Sequence, residues 1–232
     1  MGYGIPALIL LNNLSTNGYF RNFKSIIDLG SQDILFSGNK EYSHEEVKKL
    51  TGFVFPDSIM LVRSVYSCLG FTTYKCIDLD GRHGSLVLNL NKDFKMFYNY
   101  AETFDLVVNM GTTEHCFNQA QCFVNIHNLC KENGIMIHCL PTQGTVNHGF
   151  YCYHPQFFTA LASANKYDLL GMWLTIDEED DLFSYSSELI QLLFNKTPTK
   201  RQATLFSIFI KRSSNDFVIP FDPSYSYNFI KK

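Results

Sequence analysis

The sequence lacks the cysteine patterns of metal-binding and disulfide-stabilised proteins. It contains no CxxC pair, and its cysteine count is odd. Such usage argues against a disulfide framework and against a zinc site. We therefore interpret the thiols as reduced core residues of a cytoplasmic protein and predict no metal site. The seven cysteines are Cys68, Cys76, Cys116, Cys122, Cys130, Cys139 and Cys152.

The sequence also has little net charge and no long apolar run. Its formal charge is −3, and its Lys and Arg residues are scattered, which argues against a nucleic-acid partner. The apolar stretch 5–11 contains Pro6, follows no basic segment and is too short to span a bilayer. We therefore expect no signal peptide, no membrane insertion and a cytoplasmic location.

The chain is rich in apolar residues, which are arranged in alternating strand and helix patterns. Hydrophobic residues make up 46% of its 232 residues, enough for a sizeable core. Strand and helix patterns alternate up to Tyr167, which predicts a single α/β domain with a mostly parallel sheet and helices on both faces. Two late strand patterns, Tyr167–Ile176 and Ala203–Lys211, are predicted to form an antiparallel pair at or near one edge. The expected parts outside this frame are a helical flank over 1–22, a helical insertion over 34–71 and an extended tail over 217–232.

The predicted strands end in a repeated arrangement of acids, amides and glycines. The first strand lies within SIIDLGSQD, where Asp28 stands near its carboxyl end and Gly30 follows. The second strand, TTYKCID, ends at Asp78. A short apolar run ends at Asn89, and FDLVVNM leads directly into Gly111. Because crevices in open α/β sheets form outside the carboxyl ends of the strands, these residues predict a ligand site at that edge.

These motifs together resemble class I S-adenosylmethionine-dependent methyltransferases. The resemblance rests on DLGSQD, CIDLD, FDLVVNMGTTEH and ENGIMIHCLP and spans roughly residues 20–170. A segment of the form NHGFY…P.FF..LA..N.Y is similar to a small bacterial-type subgroup of that family. The resemblance implies a Rossmann-like seven-stranded sheet with an antiparallel C-terminal hairpin, S-adenosylmethionine as cofactor and a small-molecule acceptor.

The resemblance also implies a cofactor site. The turn 28–33 would hold the methionine part, Asp78 the ribose hydroxyls, Asn89 and Leu90 the adenine, and residues 109–111 the sulfonium side. The family's loop usually has a second glycine where this chain has Gln32. The predicted cofactor-binding residues are Asp28, Gly30, Ser31, Gln32, Asp33, Asp78, Leu79, Asn89, Leu90, Asn109, Met110 and Gly111.

Three residues that follow strand ends are candidates for catalysis on the acceptor side: Glu114, His115 and His148. Our hypothesis is that His148, in a loop flanked by Gly144 and Gly149, accepts the proton of an acceptor hydroxyl. Glu114 and His115 would form the opposite wall. The alternatives are structural: His148 pinning its loop, His115 capping or packing, and Glu114 favouring a helix N-terminus.

Two other functions compete with methyl transfer to a hydroxyl of a sugar or secondary metabolite. The first is a catalytically silent Rossmann-like binding module, against which Asp28 and Asp78 argue. The second is an NAD-dependent oxidoreductase, which is weakened because no GxGxxG surrounds Gly30. The sequence leaves the oligomeric state and the identity of the acceptor open.

Overall fold

The fold is built on a mixed seven-stranded sheet. The computed structural model describes residues 2–35, 42–54, 61–177, 180–186, 188 and 202–222. The strands are β1 (Ser25–Leu29), β2 (Thr73–Ile77), β3 (Phe104–Met110), β4 (Cys130–Gln143), β5 (Asp168–Ile176), β6 (Phe183–Ser184) and β7 (Ala203–Ile210).

The strand order is β2-β1-β3-β4-β7-β5-β6. The first four strands in this order, β2, β1, β3 and β4, run parallel to one another. Ile26 of β1 pairs with Tyr74 on one side and Leu106 on the other. The central strands are continuous apolar runs because both of their faces are covered. The carboxyl ends of β1 to β4 therefore meet at one edge, as the strand-end motifs predict.

Helices cover both faces of the sheet and form two apolar layers with it. On one face, α1 buries residues on nearly every turn, and α2 begins with a capping box formed by Ser43 and Glu46. The opposite layer includes the segment that leads from β3 toward β4. The helices of the first face are α1 (Ile5–Thr16), α2 (His44–Thr51) and α3 (Val62–Cys68), and those of the second are α4 (Phe94–Tyr98), α5 (Gln119–Leu129) and α6 (Pro155–Asn165).

β7 lies near one edge of the sheet, as predicted, but not at the edge itself. β7 does pair antiparallel with β5, but it also pairs with β4 and so lies inside the sheet. Its residues are almost all buried, which suits a strand covered on both faces. The edge is taken instead by β6, which has two exposed residues.

The apolar run Ser85–Leu90 does not form a strand of the sheet. It makes a single parallel bridge, between Leu86 and Ile77 at the end of β2. The sequence pattern also predicts a helix around Glu188–Asn195, which lies outside the described residues except for Glu188. It predicts another over Ser58–Gly70, whose first three residues lie outside them as well. The single-domain assignment stays a prediction. Among the described helices, none is both long enough and apolar enough to cross a membrane.

Candidate functional site

A crevice of about 430 Å³ opens at the carboxyl ends of β1, β2 and β3. The structure brings most of the predicted cofactor-binding residues together there, and it adds neighbours that the sequence did not single out. The predicted residues that line it are Gly30, Ser31, Gln32, Asp33, Asp78, Leu79, Asn89, Leu90 and Gly111. The added ones include Arg82, Asn91, Thr112 and Cys116.

The turn after β1 depends on Gly30. Its φ is +100°, and an added Cβ would lie 2.4 Å from Gln32 Nε2 and 2.7 Å from Thr112 Oγ1. Gln32 folds its amide back and donates to the Leu29 carbonyl and to Thr112 Oγ1, each at 3.1 Å. The Gln32 side chain thus closes the turn from within.

Polar contacts clamp this turn to the segment after β2. Asp78 Oδ2 accepts from the Ser31 backbone N–H at 2.8 Å, and Ser31 Oγ donates to Asp80 Oδ1 at 2.8 Å. Arg82 Nε donates to Asp80 at 2.6 Å, and Arg82 also reaches Asp33 at 3.2 Å. The hydrogen bonds from Arg82 lower the pKa of Asp80 to about 2. The crevice is therefore polar and ordered along this side.

The opposite side of the crevice is fixed to α5. Asn89 Oδ1 accepts two hydrogen bonds from Asn91, each at 3.0 Å, and Asn91 Oδ1 accepts from the Asn118 backbone N–H. The Leu90 carbonyl accepts from Asn125 at 3.0 Å. A segment that pairs with the sheet only at Leu86 is therefore held by side-chain amides.

Three predicted cofactor-binding residues do not line the crevice: Asp28, Asn109 and Met110. Successive side chains of a strand point to opposite faces, so neighbours of a lining residue can face away from it. Met110 packs in the layer that contains α1. Asn109 instead donates to Thr113 Oγ1 at 2.8 Å and accepts from the Thr113 backbone N–H, so it holds the following turn.

Asp28 is fully buried on the α1 side of the sheet. Its Oδ2 accepts from the Tyr3 hydroxyl at 2.8 Å, and Tyr3 in turn shares a hydrogen bond with Tyr66 at 2.6 Å. Burial raises the pKa of the Asp28 carboxyl well above its usual value, against the opposing effect of the Tyr3 hydrogen bond. This environment supports a structural role for Asp28.

Replacement of Asp28 by asparagine should change stability in a pH-dependent way and leave cofactor affinity unchanged. An unfolded aspartate ionises near pH 4, whereas the folded carboxyl holds its proton to higher pH, so the wild type loses stability as the pH rises through that window. The Asp28→Asn variant lacks this loss. As the pH rises, the free energy of unfolding of the variant should increase relative to that of the wild type by up to about 1.4 kcal/mol per pH unit.

Urea unfolding at several pH values above 4, with calorimetric titration of S-adenosylhomocysteine, tests both parts of this expectation. A parallel pH dependence of the two proteins would show that Asp28 is ionised in the fold. A large loss of affinity in the Asp28→Asn variant would restore Asp28 to the cofactor site.

Beside the crevice lies a cluster formed by Glu114, His115 and His148, the three predicted catalytic residues. Glu114 Oε1 is 3.5 Å from His148 Nε2 and 3.8 Å from His115 Nε2, and the two imidazole rings meet edge to face with centroids 4.8 Å apart. His115 also lines the crevice, so the cluster and the crevice share a wall. The structure thus brings His148 to two residues that precede it by 33 and 34 positions in the sequence.

The loop that carries His148 is held over Glu114 by the backbone. The Phe150 N–H donates to the Glu114 carbonyl at 2.7 Å. Gly149 has a φ of +70°, and a Cβ there would lie 2.9 Å from the Glu114 carbonyl oxygen, so only glycine permits this approach. The close contact therefore sets the position of His148.

The carboxylate of Glu114 is completely buried, and neither of its oxygens has a hydrogen-bond partner among the other described residues. Burial raises the pKa of Glu114 to about 7 and lowers the pKa of both His115 and His148. Exposed rings of Phe117 and Phe150, with centroids 6.1 Å apart, lie next to the cluster along the chain. Two exposed aromatic rings thus flank the cluster in the sequence.

No protein-family model and no curated protein matches the chain. Among solved structures, it is similar to a SAM-dependent methyltransferase from Archaeoglobus fulgidus, with 12% identity and a TM-score of 0.48, over 87% of this chain and 93% of that one. It is also similar to the N-methyltransferase NodS from Bradyrhizobium japonicum in complex with S-adenosyl-L-homocysteine, with 9% identity and a TM-score of 0.43, over 87% and 86%. For TehB from Haemophilus influenzae the identity is 7% and the TM-score 0.49, over 86% of this chain and 61% of that one. Likeness at this level assigns no function, so function is judged from the crevice and the cluster.

Proposed function

We propose that the chain is an S-adenosylmethionine-dependent methyltransferase of the class I type, acting on a hydroxyl of a small molecule such as a sugar or secondary metabolite. The observation that carries the proposal is the crevice itself. It gathers the glycine turn after β1, the acid at the end of β2 and the amide segment 89–91, and it shares His115 with the buried carboxylate cluster. An ordered ligand crevice with a cluster of ionisable groups at its wall is the arrangement expected of an active site.

The residues of the crevice fit the cofactor in size and chemistry. Its volume of about 430 Å³ lies within the usual range of small-molecule sites, roughly 300–1,000 Å³. The turn 30–33 would hold the methionine part, Asp78 the ribose hydroxyls, Asn89 and Leu90 the adenine, and Gly111 the sulfonium side. When bound, S-adenosylmethionine supplies an electrophilic methyl group on a positively charged sulfur.

Glu114, His115 and His148 form the proposed catalytic group on the acceptor side. His115 faces the crevice, while His148 approaches Glu114 from the loop above it. A hydroxyl acceptor needs a group within hydrogen-bond reach that removes its proton or stabilises the resulting charge. In the sequence-based hypothesis this group is the imidazole of His148. The exposed Phe117 and Phe150 rings offer an apolar surface for the rest of the acceptor.

The competing functions are less well supported by the same residues. A silent binding module would have no use for Glu114, because burial of a carboxylate without a hydrogen bond from any other described residue is unfavourable for folding. A dinucleotide site needs close backbone approach to a pyrophosphate, but Gly30 is followed by the side chains of Gln32 and Asp33.

Ligand-induced stabilisation tests the proposal. S-adenosylmethionine and S-adenosylhomocysteine should each raise the melting temperature, with a stabilisation of about 2.7 kcal/mol at a concentration one hundred times Kd. NAD should produce no shift. A shift with NAD alone would favour an oxidoreductase, and no shift with any of the three would favour a module that binds other partners.

A further inference from the structure

We propose that Glu114, His115 and His148 form a binding site for one first-row divalent transition-metal ion at the wall of the crevice. The site is inferred from the cluster alone. Only the role given to the ion rests on the proposed function. Such a site differs from the sequence-based prediction that the chain has no metal site.

The spacing of the three side chains suits a common metal ion. Each offers one ligand atom, and these atoms lie within 4.8 Å of one another. Two ligands bound at about 2.1 Å to the same ion lie roughly 3.0–3.5 Å apart. The distances from Glu114 Oε1 to the two imidazole nitrogens, 3.5 and 3.8 Å, exceed the upper end of this range by no more than about 0.3 Å. The full set of ligand atoms spans up to 4.8 Å, so the two imidazoles would have to move closer together to bind one ion.

The burial of Glu114 points independently to a cationic ligand. Its side chain is 0% exposed, and both carboxylate oxygens lack a hydrogen-bond partner among the other described residues. His148 Nε2 is likewise buried without a partner there. Buried acceptors without partners are rare because they lose hydration without compensation. An ion between Oε1 and Nε2 would satisfy both atoms at once.

The backbone has already brought the ligands together. The Phe150 N–H binds the Glu114 carbonyl, and the absence of a side chain at Gly149 allows that contact. His148 therefore meets Glu114 through a short, constrained loop, while His115 follows Glu114 directly in the chain. Preorganisation of this kind is what a precise coordination site needs.

The donor set selects the class of ion. Two imidazoles and one carboxylate suit Zn²⁺, Fe²⁺, Co²⁺ or Mn²⁺, whereas Mg²⁺ and Ca²⁺ prefer oxygen ligands. Three protein ligands also leave coordination positions open, as in catalytic metal sites. One of these positions would take the hydroxyl oxygen of the acceptor. The charge of the ion would lower the pKa of that hydroxyl, and its proton would pass to solvent. In this arrangement His148 acts as a ligand.

Cobalt titration of the full chain tests the site. The protein is treated with a chelator, dialysed and titrated with Co²⁺, with calorimetry and the visible absorption of the bound ion as readouts. We expect one ion per chain. Glu114→Gln and His148→Ala should each weaken binding by more than about tenfold, because each removes a ligand. The matched control is His83→Ala, which removes a histidine–carboxylate contact outside the cluster, 2.9 Å from His83 Nε2 to Asp33 Oδ1, and should bind Co²⁺ normally.

The metal site and the methyltransferase proposal can each fail without the other. Equal Co²⁺ affinity in the wild type and both ligand variants, or no stoichiometric binding, would show that the cluster is not a metal site. Full methyl transfer by the chelated protein would show that His148 acts without an ion. Co²⁺ binding by a chain that binds neither S-adenosylmethionine nor S-adenosylhomocysteine would keep the site and remove the proposed function.

Discussion

Replacement of His148 by alanine is expected to lower turnover by at least about a hundredfold and to leave the affinity for S-adenosylhomocysteine unchanged. His148 Nε2 lies 3.5 Å from Glu114 Oε1, whereas His148 is not among the residues that line the cofactor crevice. Removal of a group that takes up a proton typically reduces rates by about a hundred- to ten-thousandfold. Loss of a metal ligand at the same position would also reduce turnover without changing the cofactor contacts.

The matched control is a second histidine near the end of the same loop. His154 caps α6 by accepting from the Gln156 backbone N–H, and its side chain is exposed. Asparagine is a good N-cap, so His154→Asn should keep both the helix and the turnover. Near-normal turnover in the His148→Ala variant would show that His148 only holds its loop in place.

Much of the fold was predictable because apolar pattern and strand-end chemistry are local properties. The second strand, β2, is an example, because its apolar residues end directly before Asp78. The position of β7 was not predictable from its own sequence, because an apolar strand pairs equally well at several places in a sheet. The place of β7 in the sheet is decided by the apolar layers that cover both of its faces, and these layers are formed by helices distant in the sequence.

The site was predictable to the extent that it follows strand ends. Asp78, Asn89 and Gly111 were placed in one crevice on this basis, and the structure gathers them there. Asp28 was assigned to the crevice by its position in the chain, but the direction of its side chain depends on the pleat and on Tyr3.

The remaining parts of the site depend on contacts between distant residues. The clamp of Arg82 on Asp80 and Asp33 could have been suspected from the sequence Asp80-Gly81-Arg82, in which two opposite charges flank a turn. The contact between Glu114 and His148 had no such signal. It arises from a backbone hydrogen bond across 36 positions, from Phe150 to Glu114.

Replacement of Asp78 by alanine is expected to weaken S-adenosylmethionine binding by roughly 1.5–3 kcal/mol, or about ten- to 150-fold in Kd. This is the scale of a hydrogen bond to a charged group. Asp78 has two tasks, however, because its Oδ2 accepts from the Ser31 backbone N–H at 2.8 Å. The alanine variant therefore loses both the proposed ribose acceptor and one contact of the turn after β1. Unchanged affinity in calorimetry would show that another residue holds the ribose.

Asp78→Asn separates these two tasks. The asparagine carbonyl can still accept from Ser31, while the charge is lost. If the turn alone matters, Asp78→Asn should bind the cofactor normally. If the ribose contact matters, affinity should fall between those of the wild type and the alanine variant.

Competition with adenosine and 2′-deoxyadenosine adds a direct readout, since only the first offers both hydroxyls. The wild type should prefer adenosine, and the preference should shrink in Asp78→Ala, because a coupled pair loses its interaction energy when either partner is removed. An undiminished preference in that variant would place the ribose against a different acceptor, and Asp80 would then be the next residue to test.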